Sequence, residues 1–139
     1  MNAIDTNVLI YFIDELEPAK QRTAISLLQS LGRAEESTVL PWQVGAEFLC
    51  CLRRWENAGR INRDDTLRHL SQLEAVFTFV FPSQSVLSAS LDLSARYSLS
   101  HWDSMLLAAC IQAGVDTLYS EDLAGGTKYD SVTVENPFA

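Results

Sequence analysis

Asp5, Glu47, Asp103 and Asp122 are the side chains of this sequence whose type and placing point to chemistry. They lie far apart along the chain, yet each borders an apolar run. Asp5 follows Met1–Ile4 and opens Thr6-Asn7-Val8-Leu9-Ile10-Tyr11, and Glu47 sits within Trp42–Leu52, a largely apolar helical stretch. Asp103 precedes Met105–Ile111, and Asp122 follows Thr117-Leu118-Tyr119. Carboxylates pressed against core-forming segments cost desolvation free energy unless something compensates them. No comparable set of Lys or Arg accompanies these four. A divalent cation is the natural compensation, because hard ions such as Mg²⁺ take oxygen ligands. Mg²⁺ or Mn²⁺ held by carboxylates lowers the pKa of a bound water and steadies charge on a phosphoryl oxygen, which phosphodiester hydrolysis requires. Other hydrolytic chemistries lack their parts: there is no Ser-His-Asp pattern, no thiol placed beside a histidine and no Gly-rich phosphate loop.

The elements that must position these acids are read from periodicity. Met1–Ile4, Thr38–Leu40, Phe77–Phe81, Thr117–Tyr119 and Ser131–Val134 are predicted strands. Thr6–Ile13, Lys20–Leu31, Trp42–Asn57, Arg63–Glu74, Gln84–Tyr97 and a segment capped by Ser100 and ending at Ala113 are predicted helices, the last stopped by Gly114. Leu67, Leu70 and Leu73 are expected inward on one helix, and Val86, Leu87, Leu91 and Leu93 on the next. Strands alternating with helices argue for an α/β chain with a mainly parallel sheet covered on both faces. In such sheets ligands sit beyond the carboxyl ends of the strands. Asp5 and Asp122 each follow a strand closely, and Asp103 opens a helix that faces the same rim. The four carboxylates can therefore meet there. Taken singly each has a plainer reading: Asp5 and Asp103 as helix caps, Glu47 as a solvated helix residue, Asp122 as a turn residue. Glu121 neighbours Asp122 and could exchange roles with it.

The chain has 139 residues, 47% of them hydrophobic, which fits one domain over residues 1–139 with a real core. Its formal net charge of -8 has the wrong sign for a protein that grips nucleic acid with its whole surface. A local basic rim around a metal site remains compatible with it, since the ion supplies charge itself. Cys50, Cys51 and Cys110 show no framework spacing, so they read as reduced thiols in a cytoplasmic protein, small core residues on their helices. Asp5 interrupts the apolar start, so no signal peptide is expected, and no uncharged apolar run approaches the length of a membrane span.

Four ordered segments carry a family resemblance. Ile4-Asp5-Thr6-Asn7-Val8-Leu9-Ile10, Gly45-Ala46-Glu47-Phe48-Leu49, Leu99-Ser100-His101-Trp102-Asp103 with Ser104–Cys110, and Leu118-Tyr119-Ser120-Glu121-Asp122-Leu123 together resemble the PIN-domain family, specifically the VapC-type toxins of toxin–antitoxin pairs. Each piece alone is weak; the ordered set spans almost the whole chain. Ser120 stands where Thr is commoner, keeping the hydroxyl, and Trp102 is bulkier than usual beside the acid.

The resemblance implies a PIN-like three-layer α/β/α sandwich and a Mg²⁺- or Mn²⁺-dependent endoribonuclease cutting RNA as the toxin of a type II pair. It also implies a homodimer and an inhibitory, VapB-like antitoxin. Asp5 and Asp103 are assigned as direct metal ligands. Glu47 would complete the site or orient the attacking water, and Asp122 would hold a second ion or a water. Thr6, Asn7 and Ser120 would position these groups by hydrogen bonds. Arg54 lies seven residues after Glu47 on a predicted helix, two turns or about 10.5 Å along, where it could meet an RNA phosphate; its plainer role is a solvated charge. Trp42, Trp55, Phe77, Phe79 and Phe81 are read as core or dimer-interface residues rather than base-stacking platforms. The alternatives are a non-catalytic PIN-like binding module that keeps an acidic pocket for a protein partner, and a small metal-dependent phosphatase.

Overall fold

The computed structural model describes Met1–Ala139. The elements run β1 (Asn2–Ile4), α1 (Thr6–Ile13), α2 (Pro18–Arg33), β2 (Thr38–Pro41), α3 (Trp42–Asn57), α4 (Arg63–Val76), β3 (Thr78–Val80), α5 (Val86–Tyr97), α6 (His101–Ala113), β4 (Thr117–Tyr119), β5 (Lys128–Tyr129) and β6 (Val132–Glu135). The strands form one sheet in the order β3-β2-β1-β4-β6-β5. Every pairing is parallel except β5 with β6. With helices packed over the sheet, this is the expected α/β/α sandwich. Parallel strands covered on both faces must be apolar on both, and β1 is buried at all its positions. Ala3, Ile4, Leu40, Leu118, Val132 and Val134 anchor the core.

The sheet order places the site. From β1 the chain builds outward to β2 and β3, then returns through α5 and α6 to lay β4 on the other side of β1. The direction of winding therefore reverses between β1 and β4, and the carboxyl ends of those two strands open the crevice where α/β sheets bind ligands. Asp5 and Ser120 are the first residues beyond those ends.

Local chemistry explains the helix limits. Pro18 begins α2 at a position whose missing N–H costs nothing, so the helix starts two residues earlier than periodicity suggests. Asn62 and Asp65 form a reciprocal capping box on α4. Ser100 caps α6 by accepting from the Asp103 N–H, and Gly114, at φ 78, takes the left-handed turn that ends it. Gly45 of α3 allows a close approach: a Cβ there would stand 2.6 Å from Cε1 of Phe79.

Several expectations are corrected. β3 covers only Thr78–Val80, and the β5 strand ahead of Asp130 was not anticipated. Leu87 and Leu91 face solvent at 61% and 73% exposure. The buried stripe of α5 is Val86, Ser90 and Leu93, and residues one position along fall off it. Leu67 is likewise exposed, while Thr66 and Leu73 are the buried residues of α4. Cys50 is exposed, whereas Cys110 is fully buried. Trp55, Phe77 and Phe79 pack against the core, but Trp42 and Phe81 are exposed and stack on each other at 5.8 Å. No helix is long and apolar enough to cross a membrane.

Candidate active site

Asp5 occupies the single residue between β1 and α1. Its backbone N–H continues the sheet by donating to the Tyr119 carbonyl at 2.9 Å. Its side chain caps α1: Oδ1 accepts the Thr6 N–H at 2.7 Å. Oδ2 accepts the Ser120 hydroxyl at 2.7 Å, and Ser120 is itself fully buried and accepts the Asp122 N–H at 3.1 Å through the same oxygen. Asn7, in the first turn of α1, braces this loop from the other side. Its Oδ1 accepts the Glu121 N–H at 3.3 Å and its Nδ2 donates to Asp122 Oδ2 at 3.1 Å. Ser120 and Asn7 are thus bonded to Asp5, Asp122 and the backbone of Glu121 and Asp122. The Thr6 hydroxyl is buried without a hydrogen-bond partner of ordinary geometry, although it lies near enough to Glu47 to favour that acid's ionised form.

The other two acids arrive on helices α3 and α6. Glu47 is one turn after Gln43 on α3 and accepts that amide at 3.2 Å. Asp103 stands in the first turn of α6, where the helix dipole favours a carboxylate. The four acids feel one another. Burial is the largest cause raising the Asp5 carboxyl to about 6; the Ser120 and Thr6 bonds oppose it, while Asp122 and Glu47 push further upward. Glu47 is also raised, first by shielding of its carboxyl end, with Asp103 and Asp122 adding to it. The Glu47 residue as a whole is exposed, so water screens it more than it does Asp5.

None of the four acids has a basic partner. The ion pairs of the chain all lie elsewhere. A set of hard carboxylate oxygens, one of them buried and held against ionisation, matches the donors a divalent cation takes. As placed, no three acidic, histidine or cysteine side chains stand close enough to enclose one ion; Asp103, the one carboxylate of the four that accepts no hydrogen bond, is the freest to turn inward.

Glu121 and Asp122 differ in their partners. Both oxygens of Glu121 are taken, one by the Lys20 ammonium and one by the Tyr11 hydroxyl at 2.6 Å. Burial alone would raise its pKa, but Lys20 and Tyr11 outweigh that and hold it low. Glu121 fastens the loop to α1 and α2, and Asp122 is left facing the other acids. Neither Lys20 nor Tyr11 was singled out from sequence, because the contact spans about a hundred residues. Gln43 was also missed. Arg54 is exposed on α3 and free of ion pairs, whereas Arg60 and Arg63 are engaged by Asp14 and Glu56. An apolar cavity of about 410 Å³ lined by Leu9, Phe12, Leu28, Leu31, Phe48 and Leu73 lies away from this cluster and includes none of the four acids.

The PIN domain family model matches residues 3–124. No curated protein matches the chain. Among solved structures, a toxin–antitoxin complex from Klebsiella pneumoniae is 19% identical, with 99% of this chain and 98% of that one covered and a TM-score of 0.66. The sarcin–ricin loop cleaving toxin VapC20 of Mycobacterium tuberculosis is 16% identical over 88% of this chain and 90% of that one, with a TM-score of 0.67. FitAcB from Neisseria gonorrhoeae is 19% identical over 99% of each chain, with a TM-score of 0.69. At these identities the likeness is one of fold. With the family model spanning most of the sequence and the sheet order opening its crevice at Asp5, the chain belongs to the PIN domain family.

Proposed function

We propose that the chain is a Mg²⁺- or Mn²⁺-dependent endoribonuclease acting as the toxin of a type II toxin–antitoxin pair, with the similarity to toxin–antitoxin structures as support. The observation that carries the chemistry is four carboxylates at the switch point of a parallel sheet with no cationic partner among them. When bound there, the ion would activate a water and stabilise charge on the phosphoryl oxygens. Asp5 and Asp103 would hold it directly. Glu47 would orient the attacking water, and Asp122 would hold a further ion or water. Ser120, Thr6 and Asn7 keep Asp5 and Asp122 in place. The products follow from hydrolysis: a P–O bond of the RNA backbone breaks, the water oxygen joins phosphorus, and the departing oxygen gains a proton. The partners proposed with this reading are RNA, a VapB-like antitoxin and a second copy of the chain, in the cytoplasm.

The test is cleavage of total cellular RNA by the purified protein with Mn²⁺ and with EDTA, beside Asp103→Asn. Fragments only with wild type and Mn²⁺ support the reading. Intact RNA under every condition, with folded protein, leaves the non-catalytic binding module as the account.

A further inference from the structure

Helix α3 brings Glu47 to the site and α6 brings Asp103, yet these helices meet only sparsely. Gln43 supplies the one side-chain hydrogen bond between them. Its Nε2 donates to Glu47 Oε1 at 3.2 Å and to the Trp102 carbonyl at 3.0 Å. A primary amide has two N–H groups, so each bond uses one, and the donor is fully committed. The carbonyl it grips belongs to the residue before Asp103. One half-buried side chain therefore ties a site acid on α3 to the backbone that carries a site acid on α6.

We infer that Gln43 is a positioning residue that sets Glu47 against Asp103 for cation binding. This rests on the metal-dependent reading above. The physical need is clear from the charges. Asp103 and Asp122 both bear on Glu47 unfavourably, and a mostly exposed, four-bond side chain would swing away from them. A single aimed N–H holds the carboxylate in while its second hydrogen fixes the distance to α6. Lys or Arg in this place could form the same bond but would bring a charge that competes with the cation. A neutral donor does not. Outer partners of metal-binding carboxylates matter on this scale: their loss commonly weakens metal affinity by about 10- to 100-fold.

The test is Mn²⁺ titration calorimetry on wild type, Gln43→Met, Glu47→Ala and the double variant. Gln43→Met keeps the length and apolar stem of the side chain without its donors; Gln43→Ala serves as the second variant if it fails to fold. Gln43→Met is expected to weaken Mn²⁺ binding by about 10-fold, to lower the thermal midpoint of the metal-free protein only slightly, and to have no further effect once Glu47 is Ala. Wild-type affinity in Gln43→Met would overturn the assignment, as would an equal loss in the Glu47→Ala background, which would place its action elsewhere. A wild type that binds no Mn²⁺ overturns the metal reading itself and this assignment with it.

Discussion

In the metal-free protein Asp5→Asn should gain stability relative to wild type as pH rises, and the size of that gain can be worked from the structure. The Asp5 carboxyl is raised from 3.8 to about 6 by burial and by the neighbouring Asp122 and Glu47. A group whose pKa is higher in the folded state binds more protons there than in the unfolded chain. Its contribution is therefore fully present below about pH 4 and is lost as pH rises through about 6. At about 1.4 kcal/mol per pKa unit the loss approaches 3 kcal/mol. Asn at this position cannot ionise, so it escapes the loss. Changes in hydrogen bonding to Thr6 and Ser120 shift its stability by an amount that does not vary with pH. The quantity to measure is thus the change with pH in the difference between variant and wild type. Urea unfolding in EDTA at pH 4 and pH 7.5 should show Asp5→Asn gaining about 2.5 kcal/mol on wild type across that interval, since at pH 4 part of the loss has already occurred. A difference that stays constant, or that moves toward wild type as pH rises, would refute the placing of an ionisable carboxylate under strain at this point.

Three further outcomes follow from named contacts. Glu121→Gln should lower stability, by loosening the loop from Lys20 and Tyr11, while largely sparing Mn²⁺ affinity; Asp122→Asn should do the opposite, and calorimetry with urea unfolding separates them. Arg54→Ala should weaken RNA binding to non-cleaving Asp5→Asn protein and flatten its salt dependence by about one counterion; an unchanged slope assigns Arg54 to the solvated face and leaves Arg53 and Lys128 among the unpaired cations to try. Gly45→Ala should cost about 1–3 kcal/mol in urea unfolding, because its Cβ meets the half-buried Phe79 ring at 2.6 Å.

Much of this was legible before any coordinates. The alternation of apolar runs gave the parallel sheet, and a carboxylate after each of two strands gave the rim on which Asp5 and Asp122 stand. These are local signals, since strand ends and caps are written in a few adjacent residues. What escaped depends on contacts between distant segments. The bond from Gln43 to the Trp102 carbonyl spans 59 positions, and the Lys20–Glu121 pair spans 101. Neither leaves a mark on periodicity. The outward turn of Leu87 and Leu91 had the same origin, because the face of α5 that is covered is set by α6 and not by its own hydrophobicity alone. The two-residue β5 was too short to show any period.

The central claim is that four separated carboxylates form one cation site, and Mn²⁺ titration calorimetry of the metal-free wild type beside Asp5→Asn and Asp103→Asn tests it most directly. Binding by wild type that is lost or severely weakened in both folded variants is the predicted result. No binding by wild type, or undiminished binding by either variant, would contradict the shared site.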